Sequence, residues 1–153
     1  IDPDRLFASH FGLDRANWKS QAAVQAVACA NECGRAVAAA IGNASGNRMI
    51  SIGSDARIDG PLTLGSPEHP VVIVVDGSVT LSGDVRLHGL LYAADVHWDA
   101  AAHPQAGVRG AVVSESDYSG TGEPDLSLDA ELLRNLQRQT GSYARVPGSW
   151  RDF

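Results

Sequence analysis

The sequence predicts a mainly β protein, a short right-handed parallel β-helix (β-solenoid) capped by N- and C-terminal helices. The first indication is a repeat within residues 49–113. Strand-like segments begin at Met49, Val71, Leu90 and Ala111, so that successive starts are 22, 19 and 21 residues apart. Units of this length are too short to contain a full helix, and they cover their apolar face only by stacking on the next unit.

A finer spacing of glycines is the second indication. Gly77, Gly83 and Gly89 are six residues apart and enclose two pentapeptides in which apolar and polar residues alternate. Successive side chains of a strand point to opposite faces, so the alternation predicts strands with one buried side and one wet side. The residues predicted to face inward are Val79, Leu81, Val85 and Leu87. The glycines are expected at the corners of the coil.

The third indication is the segment Val71-Val72-Ile73-Val74-Val75, which is apolar and β-branched throughout. Such a run predicts a strand that is covered on both faces. An outer element is therefore expected to pack against it.

A chain of 153 residues is long enough for a single domain with a core of its own. We expect N-terminal helices over residues 1–47, a solenoid over residues 48–128, and a C-terminal helix and tail over residues 129–153. The repeat predicts about four coils. The right-handed coil follows from the crossover rule for parallel strands.

Capping signals predict the N-terminal helices. Asp2 suits an N-cap and Pro3 the first helical position. A second, Ala-rich helix is expected to begin after Asp14 and to end at Gly42, with Gly34 as a candidate interruption. This helix would cap or flank the solenoid.

Two further segments are predicted to depart from the repeat. Residues 95–107 contain three consecutive alanines and His103-Pro104, and are expected to form a longer loop. Asp129 suits the N-cap of a last helix, whose leucine stripe ends near Gly141 and which could close the open end of the solenoid.

Charge and hydropathy argue against two classes of partner. The net charge is −6 and no run of Lys or Arg occurs, which argues against nucleic acid and against anionic membrane surfaces. The longest apolar runs are far shorter than the roughly 18 residues of a membrane-spanning helix. Neither such a helix nor a signal peptide is therefore expected within this sequence.

Cys29 and Cys33 are the only cysteines. On adjacent turns of a helix their Cα atoms would be about 6 Å apart, so we expect a disulfide if the helix bends at Gly34. Two free buried thiols are one alternative, and a metal or redox pair is another. A bridge would indicate an oxidising compartment.

The candidates for catalysis are few. Asp76 and Asp95 occupy similar places in successive coils and could form a carboxylate pair about 5 Å apart, as in a retaining glycosidase. An Asp at a corner more often caps its own backbone, and Asp76 precedes a glycine. His97 and His103 are the alternative acid-base or metal pair. Because no nucleophile elbow, phosphate loop or dinucleotide motif occurs, we expect no enzyme activity and no cofactor.

Three motifs carry a resemblance to a known family. They are Gly89-Leu90-Leu91-Tyr92, Gly110-Ala111-Val112-Val113 and Val146-Pro147-Gly148-Ser149-Trp150-Arg151-Asp152-Phe153. With these motifs, most of residues 48–153 resembles the C-terminal region of PilX-type type IV pilus assembly proteins of proteobacteria. The resemblance implies a minor pilin-like subunit in the periplasm or at the cell surface. Family members are anchored in the inner membrane by a hydrophobic N-terminal helix, which this sequence lacks.

The resemblance also implies that the partners are other pilin or pilus assembly subunits, met during assembly or at the pilus tip. Aromatic and Arg side chains concentrate binding energy at interfaces, so the candidate contact residues are Trp98, Trp150, Arg151 and Phe153. Trp150 and Phe153 could also pack on the end of the solenoid itself. Two other functions stay open: a carbohydrate-binding or carbohydrate-cleaving β-helix, and a self-polymerising cytoskeletal β-helix.

Overall fold

Parallel strand pairing determines the architecture. The computed structural model describes residues 2–30, 32–43, 48–122 and 124–140. Within these residues, nine strands form one sheet whose pairs are all parallel, and the sheet winds into a β-solenoid of about five coils. The predicted parallel β-helix with flanking helices is confirmed.

The elements are, in chain order, α1 (Pro3–Phe11), α2 (Arg15–Lys19), β1 (Val24–Ala26), α3 (Gly34–Asn43), β2 (Met49–Ile52), β3 (Ala56–Asp59), β4 (Leu62–Leu64), β5 (Val71–Ser82), β6 (Val85–Asp99), β7 (Gly107–Ser114), β8 (Tyr118–Thr121), β9 (Asp125–Ser127) and α4 (Ala130–Thr140). Strands β5, β6 and β7 are long because each continues through a corner of the coil.

The solenoid has three faces, which follow from the strand pairs. Face A holds β1, β2 and residues 71–75, 89–93 and 110–114. Face B holds β3, residues 78–82 and 95–99, and β8. Face C holds β4, residues 85–87 and 107–109, and β9. We call residues 110–127 the terminal coil.

The interior is built from columns of apolar side chains, one from each coil. Val79, Leu81, Val85 and Leu87 point inward and are buried, as the alternation predicts. Leu81 stacks between Ile58 of the coil before and Trp98 of the coil after. Burial of such columns is the main source of stability in a stack of coils, because each coil covers its neighbour.

The register on face A differs by one residue from the spacing of the sequence repeats. Met49 pairs with Val72 instead of Val71, and Val71 pairs with Gly89. This register keeps Ile50 beside Ile73 in the interior. A slip of one residue would turn every side chain of the strand to the other face, so burial and not the start of the apolar run determines the pairing.

Helices cover the outer side of face A. Val72 and Val74 point outward into a second apolar cluster. That cluster also contains Phe7, Phe11 and Trp18 from α1 and α2, and Leu132, Leu133 and Leu136 from α4. The strand predicted to be covered on both faces is therefore covered on both. The predicted N-caps Asp2 and Asp129 each accept a hydrogen bond from a backbone N–H of the helix that follows, and Asp14 caps α2 in the same way.

The prediction of one long Ala-rich helix after Asp14 is wrong. α2 ends at Lys19, Val24 pairs with Met49 as part of a first coil, and α3 begins only at Gly34. Residues 1–47 are therefore not helices alone, and the coils number about five instead of about four. Pairing with β2 outweighs the helix propensity of alanine, which is worth less than about 1 kcal/mol per residue.

α3 closes the N-terminal end of the solenoid. Val37 and Cys33 are fully buried in the interior cluster, and α3 contacts β3 and β4. Apolar side chains of α3 thus cover the interior of the first coil at the end where it would otherwise be exposed to water. None of the helices in the described parts of the chain has the length and apolar character to cross a bilayer.

The loop expected over residues 95–107 is shorter than predicted. β6 continues to Asp99 and pairs with β8 up to Thr121, so that only residues 100–106 leave the strands. The segment Val96-His97-Trp98 continues the inward and outward alternation, and Val96 and Trp98 are both buried.

Candidate interaction surface

The terminal coil leaves its interior positions half-uncovered. On face C, one inward column runs through Leu64, Leu87, Val108 and Leu126. The first three of these are at most 4% exposed, whereas Leu126 is 48% exposed. Leu126 occupies a core position that lacks the next layer among the described residues.

Face B ends in the same way. Its inward column runs through Ala56, Val79, Val96 and Tyr118. The first three are again at most 4% exposed, and Tyr118 is 44% exposed. Leu128, directly after β9, is 76% exposed. Three large apolar side chains are thus exposed at the same end of the solenoid, and exposed apolar surface is the usual mark of an interaction site.

The backbone at this end is also unpaired on its outer side. Within the described residues, β8 pairs only with β6, and β9 pairs only with β7. A cavity of about 250 Å³ opens beside β9 and is lined in part by Val108, Val112 and Leu126. An edge strand with free N–H and C=O groups is a template for pairing with another chain.

The rim of the terminal coil is acidic. Asp117 and Asp125 are both exposed and follow the two corners that flank β8 and β9. The backbone N–H of Asp117 donates to a carboxylate oxygen of Asp95 at 3.2 Å, which fixes the corner but leaves the Asp117 side chain at the surface. The surface therefore combines an apolar centre with a negative edge.

Arg15 of α2 joins the terminal coil to the rest of the molecule. Its guanidinium pairs with Asp76 at 3.2 Å and with Glu115, and Lys19 pairs with Asp76 as well. The same guanidinium lies over the ring of Tyr92, 5.5 Å from its centroid. Burial raises the pKa of the Tyr92 hydroxyl, and the neighbouring carboxylate of Glu115 raises it further. No local pattern in the sequence indicates this cluster, because its members are up to 100 residues apart.

Trp98 is not a surface residue, so the expectation that it contacts a partner is wrong. It is 1% exposed and lies in the interior cluster on face B. Gly120 stacks on it from the terminal coil, where a side chain would overlap the Trp98 carbonyl oxygen. The alternation Val96-His97-Trp98 could have revealed this, had the segment been interpreted as a strand and not as a loop.

The other candidate contact residues, Trp150, Arg151 and Phe153, lie outside the described residues. Sequence reasoning missed Tyr118, Leu126 and Leu128. The signal for Leu126 is its place 18 residues after Val108, at the length of one coil.

The strand register does not place Asp76 beside Asp95. Asp76 is held by Arg15 and Lys19. Asp95 stacks beside Ser78, whose hydroxyl donates to it at 3.1 Å, so a carboxylate pair of Asp76 and Asp95 is wrong. His97 lies on β6 and contacts the Ser119 hydroxyl at 3.0 Å. No group of three or more potential metal ligands occurs among the residues that the structure describes.

Cys29 and Cys33 are joined as a disulfide, with Cα atoms 5.4 Å apart. The bridge lies between β1 and α3, not within one helix. It therefore closes the segment that leads from the first coil into the helix covering its end.

A second cavity, of about 240 Å³, lies on the outer side of face C beside His88, Arg109 and Gln105. The Nδ1 atom of His88 is buried and has no hydrogen-bond partner among the described residues. Burial lowers the pKa of His88, and the positive charge of Arg109 lowers it further, against the opposing charges of Glu68 and Asp129.

Comparison of the chain with protein-family models, with curated proteins and with solved structures found no match.

Proposed function

We propose that this chain is a noncatalytic structural component of a type IV pilus or related filament, minor pilin-like, that acts in pilus assembly or at the tip through protein contacts. The observation that carries the proposal is the terminal coil, where Tyr118 and Leu126 hold core positions that are about half exposed. Such a surface suits lasting contact with another protein.

The motifs around Gly89 and Gly110 give the proposal its specific form. In the structure Gly89 and Gly110 are the corner glycines of face A and pair with each other in register. One of these two motifs therefore lies in the coil before the terminal coil, and the other begins the terminal coil itself. The partners proposed on this ground are other pilin or pilus assembly subunits.

The disulfide supports the proposed location in the periplasm or at the cell surface. Bridges of this kind persist in oxidising compartments and are rare in reducing ones. Attachment to the inner membrane, as in the proteins that the chain resembles, would come from a hydrophobic helix outside this sequence.

The two rival functions have less support. A carbohydrate-cleaving site would need a carboxylate pair, but Asp76 is engaged by two cations and Asp95 by Ser78. A self-polymerising β-helix would stack end to end, but α3 covers the interior columns at the N-terminal end.

Deletion of the gene in the bacterium that encodes the chain tests the proposal. We expect fewer surface pili, counted by electron microscopy, and recovery when the gene is restored. The chain should also be found, by mass spectrometry, in sheared pili or in the inner-membrane assembly complex. Unchanged pilus numbers, together with absence of the chain from both fractions, would exclude the proposed function.

A further inference from the structure

We infer that the terminal coil binds an extended segment of another polypeptide, with apolar residues at alternate positions and Lys or Arg beside them, which adds as a strand to β8 and β9. The identity of the donor as a neighbouring filament subunit rests on the proposed function. The binding mode itself rests on the structure of the terminal coil alone.

The interior columns are the reason to expect apolar residues at alternate positions of the incoming segment. Two of the inward columns, one on face B and one on face C, end in the terminal coil at Tyr118 and Leu126. A strand added to β8 or β9 would place every second side chain over one of these residues, because side chains alternate across a strand. It would also satisfy the free N–H and C=O groups of the edge.

The charges on the rim are the reason to expect Lys or Arg in the incoming segment. Asp117 and Asp125 are exposed beside the two edges, so Lys or Arg in the incoming segment would be attracted and an acidic segment repelled. The same charges argue against a second copy of this chain as the occupant. Two terminal coils facing each other would bring four like charges, two from each copy, to one interface.

A head-to-tail arrangement of two copies is also unfavourable. The opposite end of the solenoid is plugged by α3, with Val37 inside the column of the first coil. A second copy offering that end would present, among the described residues, only the three-residue edge of β1 beside the helix α3, where the terminal coil offers the strand edges of β8 and β9.

The direction of α4 argues against the chain's own last residues as the occupant. α4 begins directly after the terminal coil, and the side-chain amide of Asn135 donates to the carbonyl oxygen of Pro67 at 3.1 Å. Pro67 lies in the connection from β4 to β5, two coils before the terminal coil. The helix therefore carries the chain away from the open end.

Selection of a displayed library of random twelve-residue peptides on the purified full chain tests the inference. We expect the enriched peptides to alternate apolar residues with Lys or Arg. Leu126→Asp should weaken binding of the best synthetic peptide by at least about tenfold, because it puts a charge in the column that the peptide covers. Thr63→Asp, which adds the same charge at an exposed position on face C, should leave binding unchanged.

Circular dichroism and thermal unfolding of both variants establish that they are folded. Peptides without the expected pattern, or binding that Leu126→Asp does not weaken, would overturn the inference. So would a dimer in sedimentation experiments that Leu126→Asp dissociates, since the occupant would then be a second copy. Binding that arises only after removal of residues 141–153 would show that the chain's own tail holds the site.

The peptide-binding test and the gene-deletion test of the proposed function can fail independently. Peptide binding without any effect of gene deletion on pili would exclude the pilus function and keep the surface. Loss of pili on deletion, with no peptide bound, would keep the function and exclude this surface.

Discussion

At the level of single residues, the corner glycines of face A are the tightest constraint on the coil. Gly89 and Gly110 have φ values of +144° and +133°, in the range that side chains rarely adopt. A Cβ atom at Gly89 would overlap the carbonyl oxygen of Val71, and one at Gly110 would overlap that of Gly89. Each corner is therefore crowded by the backbone of the coil before it, which cannot move aside without breaking the ladder.

We predict that Gly89→Ala lowers the free energy of unfolding by more than about 3 kcal/mol, because strain and overlap with backbone act together. Gly42→Ala is the matched control, since a Cβ atom there meets nothing within 4 Å and the position is in α3. It should raise the same free energy by about 0.5 to 1 kcal/mol. Urea denaturation measures both, and equal effects of the two changes would contradict the account.

The half-buried ring of His88, whose Nδ1 atom is buried, predicts a pH effect. Because its pKa is lowered in the folded state, mainly by burial, the unfolded chain binds more protons just below the ordinary histidine pKa of about 6.5. The contribution of His88 to stability is therefore complete above that pH and is lost as pH falls through the lowered pKa. His88→Gln should flatten the fall in the unfolding free energy below pH 6.5.

The exposed His103 provides the control for this prediction. His103→Gln should leave the pH dependence of the unfolding free energy the same as in the unchanged chain. If the unfolding free energy of the unchanged chain and that of His88→Gln fell with pH in the same way, the prediction would be contradicted, and the ring of His88 would be hydrated in solution.

Residue patterns predicted the inward faces of β5 and β6 because alternation and glycine spacing are local. They did not predict the burial of Trp98, since three alanines and a His-Pro pair after it indicated a loop starting at Asp95. Ala100, the first of the three alanines, and Ala106 are buried where the loop leaves and rejoins the strands, so these two residues serve packing at its two ends.

At the level of elements, α2 acts through one side chain. Arg15 is 20% exposed, pairs with carboxylates from the third coil and the terminal coil, and lies 4.6 Å from the centroid of the Phe7 ring. The pairing is costly to break because Asp76 and Glu115 are partly withdrawn from water.

Arg15→Ala should lower the unfolding free energy by about 2 kcal/mol, the range for lost hydrogen bonds to charged groups. Arg5→Ala, an exposed change on the neighbouring helix, should alter it by less than about 0.5 kcal/mol. Thermal unfolding compares them. Equal stability of the two variants would mean that the Arg15 cluster contributes nothing.

The disulfide stabilises the link between β1 and α3. Closing a loop of five residues from Cys29 to Cys33 removes chain entropy worth about 2 kcal/mol from the unfolded state. We predict that reduction lowers the unfolding free energy by about this amount in urea denaturation, with a mass gain of two hydrogen atoms confirming that the bridge was present. The double change Cys29→Ala and Cys33→Ala should be insensitive to reductant. Identical transitions of the oxidised and reduced chain would contradict the prediction.

The elements differ in how far sequence predicts them. α1 and α4 have capping residues and apolar stripes in one short segment, and both were predicted. The helix expected between Asp14 and Gly42 was not found, because Val24–Ala26 gains a parallel partner in β2 that no local pattern reveals. Long-range pairing is the part of the fold that single-sequence propensity does not contain.

At the level of the whole molecule, the two ends of the solenoid differ. The N-terminal end is covered by α3, and the terminal coil exposes Tyr118, Leu126 and Leu128. The repeat length predicted stacked coils, but which coil is last among the described residues and which end is covered depend on the packing of α3 and the path of α4. The candidate surface was therefore not predictable from the sequence, although a domain acting by contact was expected.

The most direct test of the account is whether the terminal coil is needed for pili. In cells lacking the gene, the chain carrying Thr63→Asp should restore surface pili, whereas the chain carrying Leu126→Asp should restore few, with both proteins present at equal levels by immunoblot. This is the result predicted if the chain works by contact at its open coil. Equal restoration of pili by the two variants would contradict it.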